Sequence, residues 1–580
     1  MLILGINSYH PDASACIVVD GKLVAACEEE RFTRVKHYAG FPENSIKFCL
    51  KKAGAHIKDV DYIAIPREPN ARLFNKVLYG LKIPALTLKR ITAWRKTFDV
   101  KKKLSEVFDI PEGNIKAKIF KIEHHRAHLA SSFFVSPFEK AFLFSTDALG
   151  DFASTMWGYG EGNKIKVLGD IKFPHSLGFY YTAITQFLGF LKFGDEYKVM
   201  GLSAYGEPEF EEEFKKILKI KGKTFRLGLE YFVHHKKLID LNFEGYPEID
   251  ILFSKSLENL LGKRRESGEP IKKRHENIAS TLQYHFEKVF FHVINSLYDN
   301  YRPHTSSLCM AGGVAFNCVA NGKIFDNTQF KKVYIQSAAG DAGLAVGSAF
   351  YLWNHVLNNK RNFVMEHAYW GPDYSETEVE RAIDEKKNEI RERGFKIEKI
   401  KDKDKLIRLT AGYISQGKIV GWFRGRVEWG PRALGARSIV CDPRREEIKD
   451  ILNKRIKHRE PFRPFAPSIL EEKTGDFFEK THPSPFMLFA YKVKPDKRKL
   501  IPAPTHIDGT GRLQTVSRKT NPEYWKLIKE FENITGVPVI LNTSFNENEP
   551  IVNTPEEAIN CFLRTKMDVL VIENYIIYKE

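Results

Sequence analysis

The stretch IEHHRAHLASSF, residues 122–133, sets three histidines within five positions. If it is helical, His124 and His128 stand four apart on one face, with Cβ atoms about 5–6 Å from each other. Two imidazoles at that spacing can share one metal ion. His125 points about 100° away and is set aside as a ligand. A polar helix face without a metal is the plain alternative. Two carboxylates favour the metal: Asp147 ends the apolar run AFLFSTD, and Asp341 lies in SAAGDAGLAVGSAF, among small residues that let backbone and ligand crowd together. Two His with two Asp suit iron(II), manganese or zinc.

Further candidates lie beside other apolar runs. His10, in SYHPDASA after the first run, is a candidate general base and could instead shape its loop. Asp12, in the same loop, could likewise be a turn residue. Lys198, in EYKVMG, could meet substrate or nucleotide, or pair with Glu196. Gly312 and Gly313, with Asn317 just beyond them in MAGGVAFNCVANGKI, would let backbone approach a nucleotide closely; an ordinary strand-to-helix turn would use the same glycines.

The elements that must position these residues are legible in outline. MLILGIN is an apolar strand. SACIVVDGKLVAACEE is two apolar runs around Asp-Gly, a hairpin signal, and PENSIKFCLKKAG is helical. A similar order recurs from residue 141: the strand AFLFSTD, the polar loop ALGD, then STMWGYGEGNKIKVLGD with two more strands around a Gly-containing turn. A duplicated β-β-β-α unit is the plan of the actin-like ATPase (ASKHA) superfamily, in which a nucleotide lies in the cleft between two halves. A boundary is expected between about 355 and 400, where a Gly-Pro turn precedes a helix with a capping-box spacing, Ser375 to Glu378. The composition then becomes dense in Arg and Gly. The expected domains are 1–360 and 390–580, both α/β.

The chain of 580 residues is 43% hydrophobic and 13% aromatic, enough for sizeable cores and too long for one. Its net charge of +17 favours anionic partners or a solvated Lys-rich surface; KRITAWRKTF and VKKK (89–103) and GKRRESGEPIKKRH (262–275) carry much of it. The 7 cysteines show no C-x-x-C pair, which points to free thiols in a reducing compartment. With no signal-peptide pattern and no apolar run of about 18 residues, a cytoplasmic location without membrane association is expected.

Ten stretches occur in an order that resembles the O-carbamoyltransferase family, whose members include nodulation-factor, cephalosporin and tobramycin carbamoyltransferases. They are GINSYHPDASACIVVDGKLVAACEEERFTRVKH, HHRAH, STDALGD, EYKVMGLSAYG, MAGGVAFN, GDAGLAVGSA, GRVEWGPRALGARSI, KHREPFRPFAPSIL, THIDGTGRLQTV and LNTSFNENEPIV. The resemblance spans about residues 3–575. It implies an actin-like carbamoyl-transfer domain followed by a YrdC-like α/β domain that makes carbamoyl adenylate. It also implies His124, His128, Asp147 and Asp341 as metal ligands, with iron(II) the usual metal. Many relatives have His directly before Asp where Pro11 here follows His10, which leaves the role of His10 open.

The implied substrates, carbamoyl phosphate and ATP (with Mg2+ as its companion ion), bring several negative charges together. Arg forks and Lys meet such charge. Arg426, Arg432, Arg437, Lys457, Arg463 and Arg512 sit among Gly, Pro, Ala and aromatic residues rather than in a charged surface run. By motif match Lys457, Arg463 and Arg512 come first as substrate contacts, then Arg432 and Ser438, with Ser544 and Asn542 as nucleotide contacts. Glu428 is expected to be structural, pairing with a neighbouring Arg. The acceptor is a hydroxyl of a small molecule, and SLGFYYTAITQFLGFLKFGDEYKVMG (176–201) offers aromatic and polar lining. A tRNA-modifying enzyme and a non-catalytic nucleotide-binding regulator are the competing readings. The motifs follow the carbamoyltransferase pattern, so specific nucleic-acid binding is not expected.

Overall fold

The computed structural model describes residues 1–82, 99–236, 241–242, 245–301 and 304–579. The basic run KRITAWRKTF (89–98) lies outside them. The chain divides into two compact units, Met1–Met365 and Glu366–Glu580.

In the first unit, apolar runs form two five-stranded sheets. The first contains β1 (Leu2–Asn7), β2 (Ser14–Val19), β3 (Lys22–Glu28), β4 (Tyr62–Ile65) and β5 (Lys118–Lys121), in the order β3-β2-β1-β4-β5. The hairpin between β2 and β3 turns at Asp20 and Gly21, both at positive φ (47° and 78°), as a tight two-residue turn requires. The second sheet contains β6 (Lys140–Gly150), β7 (Ala153–Glu161), β8 (Lys164–Lys172), β9 (Ser307–Ala311) and β10 (Lys332–Ile335). Its order is β10-β9-β6-β7-β8. In each sheet the first strand pairs antiparallel with the second and parallel with the fourth. The two halves therefore share one topology, and the duplicated actin-like plan is present in the strand pairings themselves. The ALGD loop is a correction: β6 runs on through Asp147 to Gly150, and only Asp151 and Phe152 turn into β7.

Two helices bring the halves of the site together. Helix α1 (His124–Phe133) is buried on nearly every side, so it shows no polar face. Its N-cap is Glu123, which accepts from Arg126 N at 2.8 Å. Helix α2 (Gly343–Phe350) packs on α1 and on β1. Glycine makes both approaches possible: a Cβ on Gly347 would lie 2.0 Å from Ala127 O, and one on Gly5 2.1 Å from Ala345 O. Leu4, Ile6, Ile17, Ile46, Leu50, Ile63 and Leu104 form part of the first sheet's core.

The second unit is built on one nine-stranded mixed sheet. Its strands are β11 (Lys396–Lys399), β12 (Val420–Phe423), β13 (Arg437–Cys441), β14 (Ala466–Leu470), β15 (Phe489–Lys492), β16 (Thr510–Val516), β17 (Val539–Ser544), β18 (Val569–Ile572) and β19 (Tyr575–Tyr578). The order is β11-β19-β18-β12-β13-β17-β14-β16-β15. The helix Glu376–Glu392 begins with the capping box of Ser375 and Glu378. Its Val379, Ile383 and Ile390 share a core with Phe423, Ile439, Leu541, Phe545, Ile559 and Phe562. Residues 376–392 are thus integral to the second unit. Both units are mixed α/β. No helix among the described residues is long and apolar enough to cross a membrane.

Candidate active site

The carboxyl end of β6, the start of α1 and the turn before α2 meet at one point. His128 Nε2 lies 3.0 Å from Asp147 Oδ2 and 3.3 Å from Asp341 Oδ1. His124 Nε2 lies 3.9 Å and 3.6 Å from the same two oxygens. All four ligand atoms fall within 4.8 Å of one another. Donors on a tetrahedral metal with bonds of about 2.0–2.2 Å stand about 3.3–3.6 Å apart. The fit is also chemical. His124 Nε2 and Asp341 Oδ1 are buried and have no hydrogen-bond partner, a costly arrangement unless something else satisfies them. His125 stands apart, as its position on the helix requires: Nδ1 meets Ser145 Oγ at 2.7 Å and Nε2 meets Ala153 O at 3.0 Å.

The electrostatics of the cluster are those of imidazoles and carboxylates paired in a buried site. Burial alone would lower the His128 imidazole, but Asp147 and Asp341 outweigh it and raise it to about 9. Burial would raise the Asp147 carboxyl, yet His124 and His128 hold it well below the usual carboxylate range. Asp341 is lowered too: burial and the Asp147 charge work against it, and His10 and His128 prevail. His125 is pushed well below the ordinary imidazole range, by burial first and then by its two histidine neighbours.

The surroundings fix these side chains. His10 Nδ1 lies 2.8 Å from Asp341 Oδ2, the oxygen that faces away from the histidine pair. Asn7 Nδ2 donates to Asp341 O at 3.1 Å and to Asp12 O at 3.2 Å, tying the loop after β1 to the turn that carries Asp341. Asp12 accepts from His37 Nδ1 at 2.8 Å. Gly312 (φ 92°) and Gly313 lie where a Cβ would come within 2.1 Å of Thr146 O and 3.0 Å of Asp147 Oδ1. They allow the close approach at the site itself. Asn317 is not a bare contact: its Oδ1 accepts from Ala320 N to cap a short helix, and its Nδ2 donates to Gln283 Oε1. Lys198 pairs with Asp195 at 2.9 Å rather than with Glu196, whose Oε1 accepts from Thr182 Oγ1. Phe179, Tyr180, Tyr181 and Phe187, expected as acceptor lining, are buried.

Two features escaped the sequence reading. A Cβ on Gly150 would sit 2.0 Å from a carbon of the His124 ring, so this glycine makes room for the imidazole. Asp151 Oδ2 accepts from His124 N at 3.0 Å and from Glu68 N at 2.9 Å, joining the loop after β4 to the start of α1. The motif ALGD contains both residues, but only the chain path shows what they touch.

In the second unit, the register sets Ser438 opposite Ser544, Asn542 opposite Ala466 and Ser468 opposite Gln514. Residues that face each other across strands share a side of the sheet, so one face carries a polar strip, with Arg512 two residues before Gln514. Asn542 Nδ2 donates to Ala433 O, Ser468 Oγ and Gln514 Oε1, and Ser438 Oγ accepts from Gly435 N. Lys457 Nζ donates to Ser544 O, Asn546 O and Asn546 Oδ1 at 2.5, 2.7 and 2.7 Å. Arg463 Nη1 is 3.4 Å from Glu460 Oε2, and Arg432 is half-buried in the loop before β13.

Two of the arginines serve the fold. Arg437 is fully buried, stacked 3.5 Å over the Phe423 ring, and burial lowers its pKa to about 10. Arg426 donates to Gly371 O and Trp370 O. Glu428 is structural in a different way from that expected: its Oε1 accepts from the backbone N–H groups of Leu434, Ala436 and Arg437.

Comparison with known proteins agrees with the architecture. A family model described as Carbamoyltransferase N-terminus matches residues 2–350, and one described as Carbamoyltransferase C-terminus matches residues 411–579. The chain is 40% identical to an uncharacterized Synechocystis protein, sll1178, over 100% of this chain and 96% of that protein. It is 37% identical to the nodulation protein NolNO of Sinorhizobium fredii, over 99% of this chain and 80% of the relative. It is 38% identical to the nodulation protein NolO of Bradyrhizobium diazoefficiens, over 79% of each. The chain therefore belongs to the carbamoyltransferase family and is an enzyme that moves a carbamoyl group from a donor to an acceptor.

Proposed function

We propose that the chain is an ATP-dependent O-carbamoyltransferase that works through carbamoyl adenylate. The observation that carries this reading is the four-residue cluster in a carbamoyltransferase, with His124 Nε2 and Asp341 Oδ1 buried and without a hydrogen bond. The second unit, YrdC-like by resemblance, is the place of donor activation. Carbamoyl phosphate is hydrolysed there to carbamate and phosphate. A carbamate oxygen then attacks the α-phosphorus of ATP and expels pyrophosphate. Arg463, Arg512 and Arg432 hold the anionic groups, Lys457 fixes the Ser544–Asn546 loop against them, and Ser438, Ser544 and Asn542 present the polar strip to the nucleotide.

The first unit uses the adenylate. The oxygen of an acceptor hydroxyl attacks the carbamoyl carbon, the bond to the AMP oxygen breaks, and the hydroxyl proton leaves to a base. His10 serves as that base; the contact of its Nδ1 with Asp341 supports this, because it leaves Nε2 to accept the proton. A divalent metal, iron(II) by resemblance, held by His124, His128, Asp147 and Asp341 would act as a Lewis acid toward a carbonyl or phosphate oxygen. Gly312 and Gly313 bring backbone close to the same point, and Lys198 and Asn317 stand in the same unit as substrate and nucleotide contacts. The acceptor is a hydroxylated small molecule.

The test is the fate of ATP. Purified protein given ATP, Mg2+, carbamoyl phosphate and a metabolite extract is expected to form AMP and pyrophosphate in step with an O-carbamoylated product seen by mass spectrometry. ADP in place of AMP would overturn the adenylate route.

A further inference from the structure

The loop after β4 carries an arginine that neither half-reaction has yet employed. Arg67 lies two residues beyond the carboxyl end of β4, the edge at which α/β sheets bind ligands. Its loop is held against the metal-ligand helix by one carboxylate, since Asp151 Oδ2 accepts from both Glu68 N and His124 N. Asp151 is itself set by an unusual turn. With Gly150 paired to Ala153, Asp151 and Phe152 form a two-residue hairpin loop at φ 44° and 69°. Asn-Gly is the ordinary choice there, and non-glycine residues in left-handed conformations persist only where their surroundings demand it.

Within this framework the two nearby arginines differ. Arg72 is fully engaged: it donates to Glu123 Oε1, Asp170 Oδ2 and Asp151 O, each at 2.8–2.9 Å. Arg67 is half-buried and donates no side-chain hydrogen bond to any described residue. Its charge is nevertheless close enough to Asp151 and Asp341 for each to stabilise it, against a burial that disfavours it. A guanidinium fork that is partly desolvated, carried on a loop tied to the helix of His124 and without a bidentate partner is matched to an oxyanion.

Resting on the reading of His124, His128, Asp147 and Asp341 as a metal centre, we infer that Arg67 binds a phosphate oxyanion of the ligand at that centre. The phosphate could belong to a nucleoside monophosphate or be inorganic, and the two are separable by experiment. In the transfer reaction Arg67 would hold the phosphate that stays with the nucleotide while the carbamoyl carbon is attacked. It takes up no proton and forms no covalent bond.

The test uses the full chain loaded with Co(II), whose visible absorption bands report on the metal centre alone. Wild-type protein is titrated with AMP and, separately, with inorganic phosphate. The expected result is a change in the Co(II) bands with one or both anions. Arg67→Gln should take up Co(II) as before yet need at least about tenfold more anion for the same change. Arg67→Lys, which keeps the charge without the fork, should fall between. A response to AMP alone assigns the phosphate to a nucleotide, and an equal response to inorganic phosphate assigns it to the free ion. If neither anion moves the wild-type bands, or if Arg67→Gln responds like wild type, the assignment of Arg67 is overturned. If the wild type takes up no Co(II), the metal reading itself falls, and Arg67 with it. Should Arg67→Gln lose Co(II) uptake, Arg67→Lys against wild type decides the matter.

Discussion

The His124 ring stands in space that only glycine leaves open. A methyl group at position 150 would come within 2.0 Å of the ring, and φ at that position is not in the left-handed region, so the backbone itself accepts alanine. Gly150→Ala should therefore fold, displace the imidazole and lower metal content. Elemental analysis after dialysis against a weak chelator should show affinity down by at least about tenfold, because losing one of four ligands forfeits more than about 1.4 kcal/mol. Unchanged metal content with unchanged melting would refute this role for Gly150. The residue types at the site were legible in advance because spacing alone carries them: four residues on a helix put His124 and His128 together and turn His125 away. The residues that set the ring's position were not legible. Gly150 looked like part of a loop, and nothing in its neighbours says that a strand continues to it.

At the scale of elements, apolar periodicity located the strands and helices that matter, since a central strand must be buried on both faces and reads as an unbroken apolar run. The β2–β3 hairpin was visible through Asp20-Gly21, whereas the Asp151-Phe152 turn was not, because the bulky Phe152 stands at positive φ where glycine is the ordinary choice. Tertiary packing also divides the aromatic stretch 176–201: Phe179, Tyr180, Tyr181 and Phe187 are buried, while Leu191 and Tyr197 are exposed. Part of that packing is held by His234, whose Nε2 donates to Pro174 O at 2.8 Å among Phe173, Phe179 and Phe232. Burial lowers its pKa from the ordinary 6.5 to about 4. A folded-state value below the unfolded one means full stability above about pH 6.5 and loss as pH falls toward 4, because the unfolded chain takes up the proton first. Chemical denaturation of wild type should show a loss on the order of 2–3 kcal/mol from this group across that window. His234→Gln should be less stable at pH 7.5 and lose less on acidification. An equal pH slope in the two proteins would rule the linkage out.

Over the whole molecule, the repeat of one strand order was visible only as weak self-similarity, because topology survives changes that erase sequence likeness. What the two units do should be separable by mutation. Arg463→Ala is expected to slow AMP formation from ATP and carbamoyl phosphate by at least about tenfold, given about 1.5–3 kcal/mol for a charged hydrogen bond. It should spare transfer from chemically supplied carbamoyl adenylate. His124→Ala should still form the adenylate while acceptor carbamoylation collapses. Both readouts on both variants, with melting as the control for folding, decide the assignment; the opposite pattern would mean that the division of labour is reversed.

The contact between Asn7 and Asp341 spans 334 residues of chain, and α2 covers the strand on which Asn7 lies. On a ribosome adding about 5–20 residues per second, roughly 20–70 s separate the appearance of the two partners. Throughout that interval β1 has been synthesised but the helix that packs on it has not: Leu4 and Ile6 can meet their core neighbours, all within residues 15–117, while the face that carries Gly5 waits for Ala345. A nascent chain stalled before residue 341 would hold both histidines and no complete ligand set. On the metal reading proposed above, the centre would be completed only at the end of the first unit's synthesis.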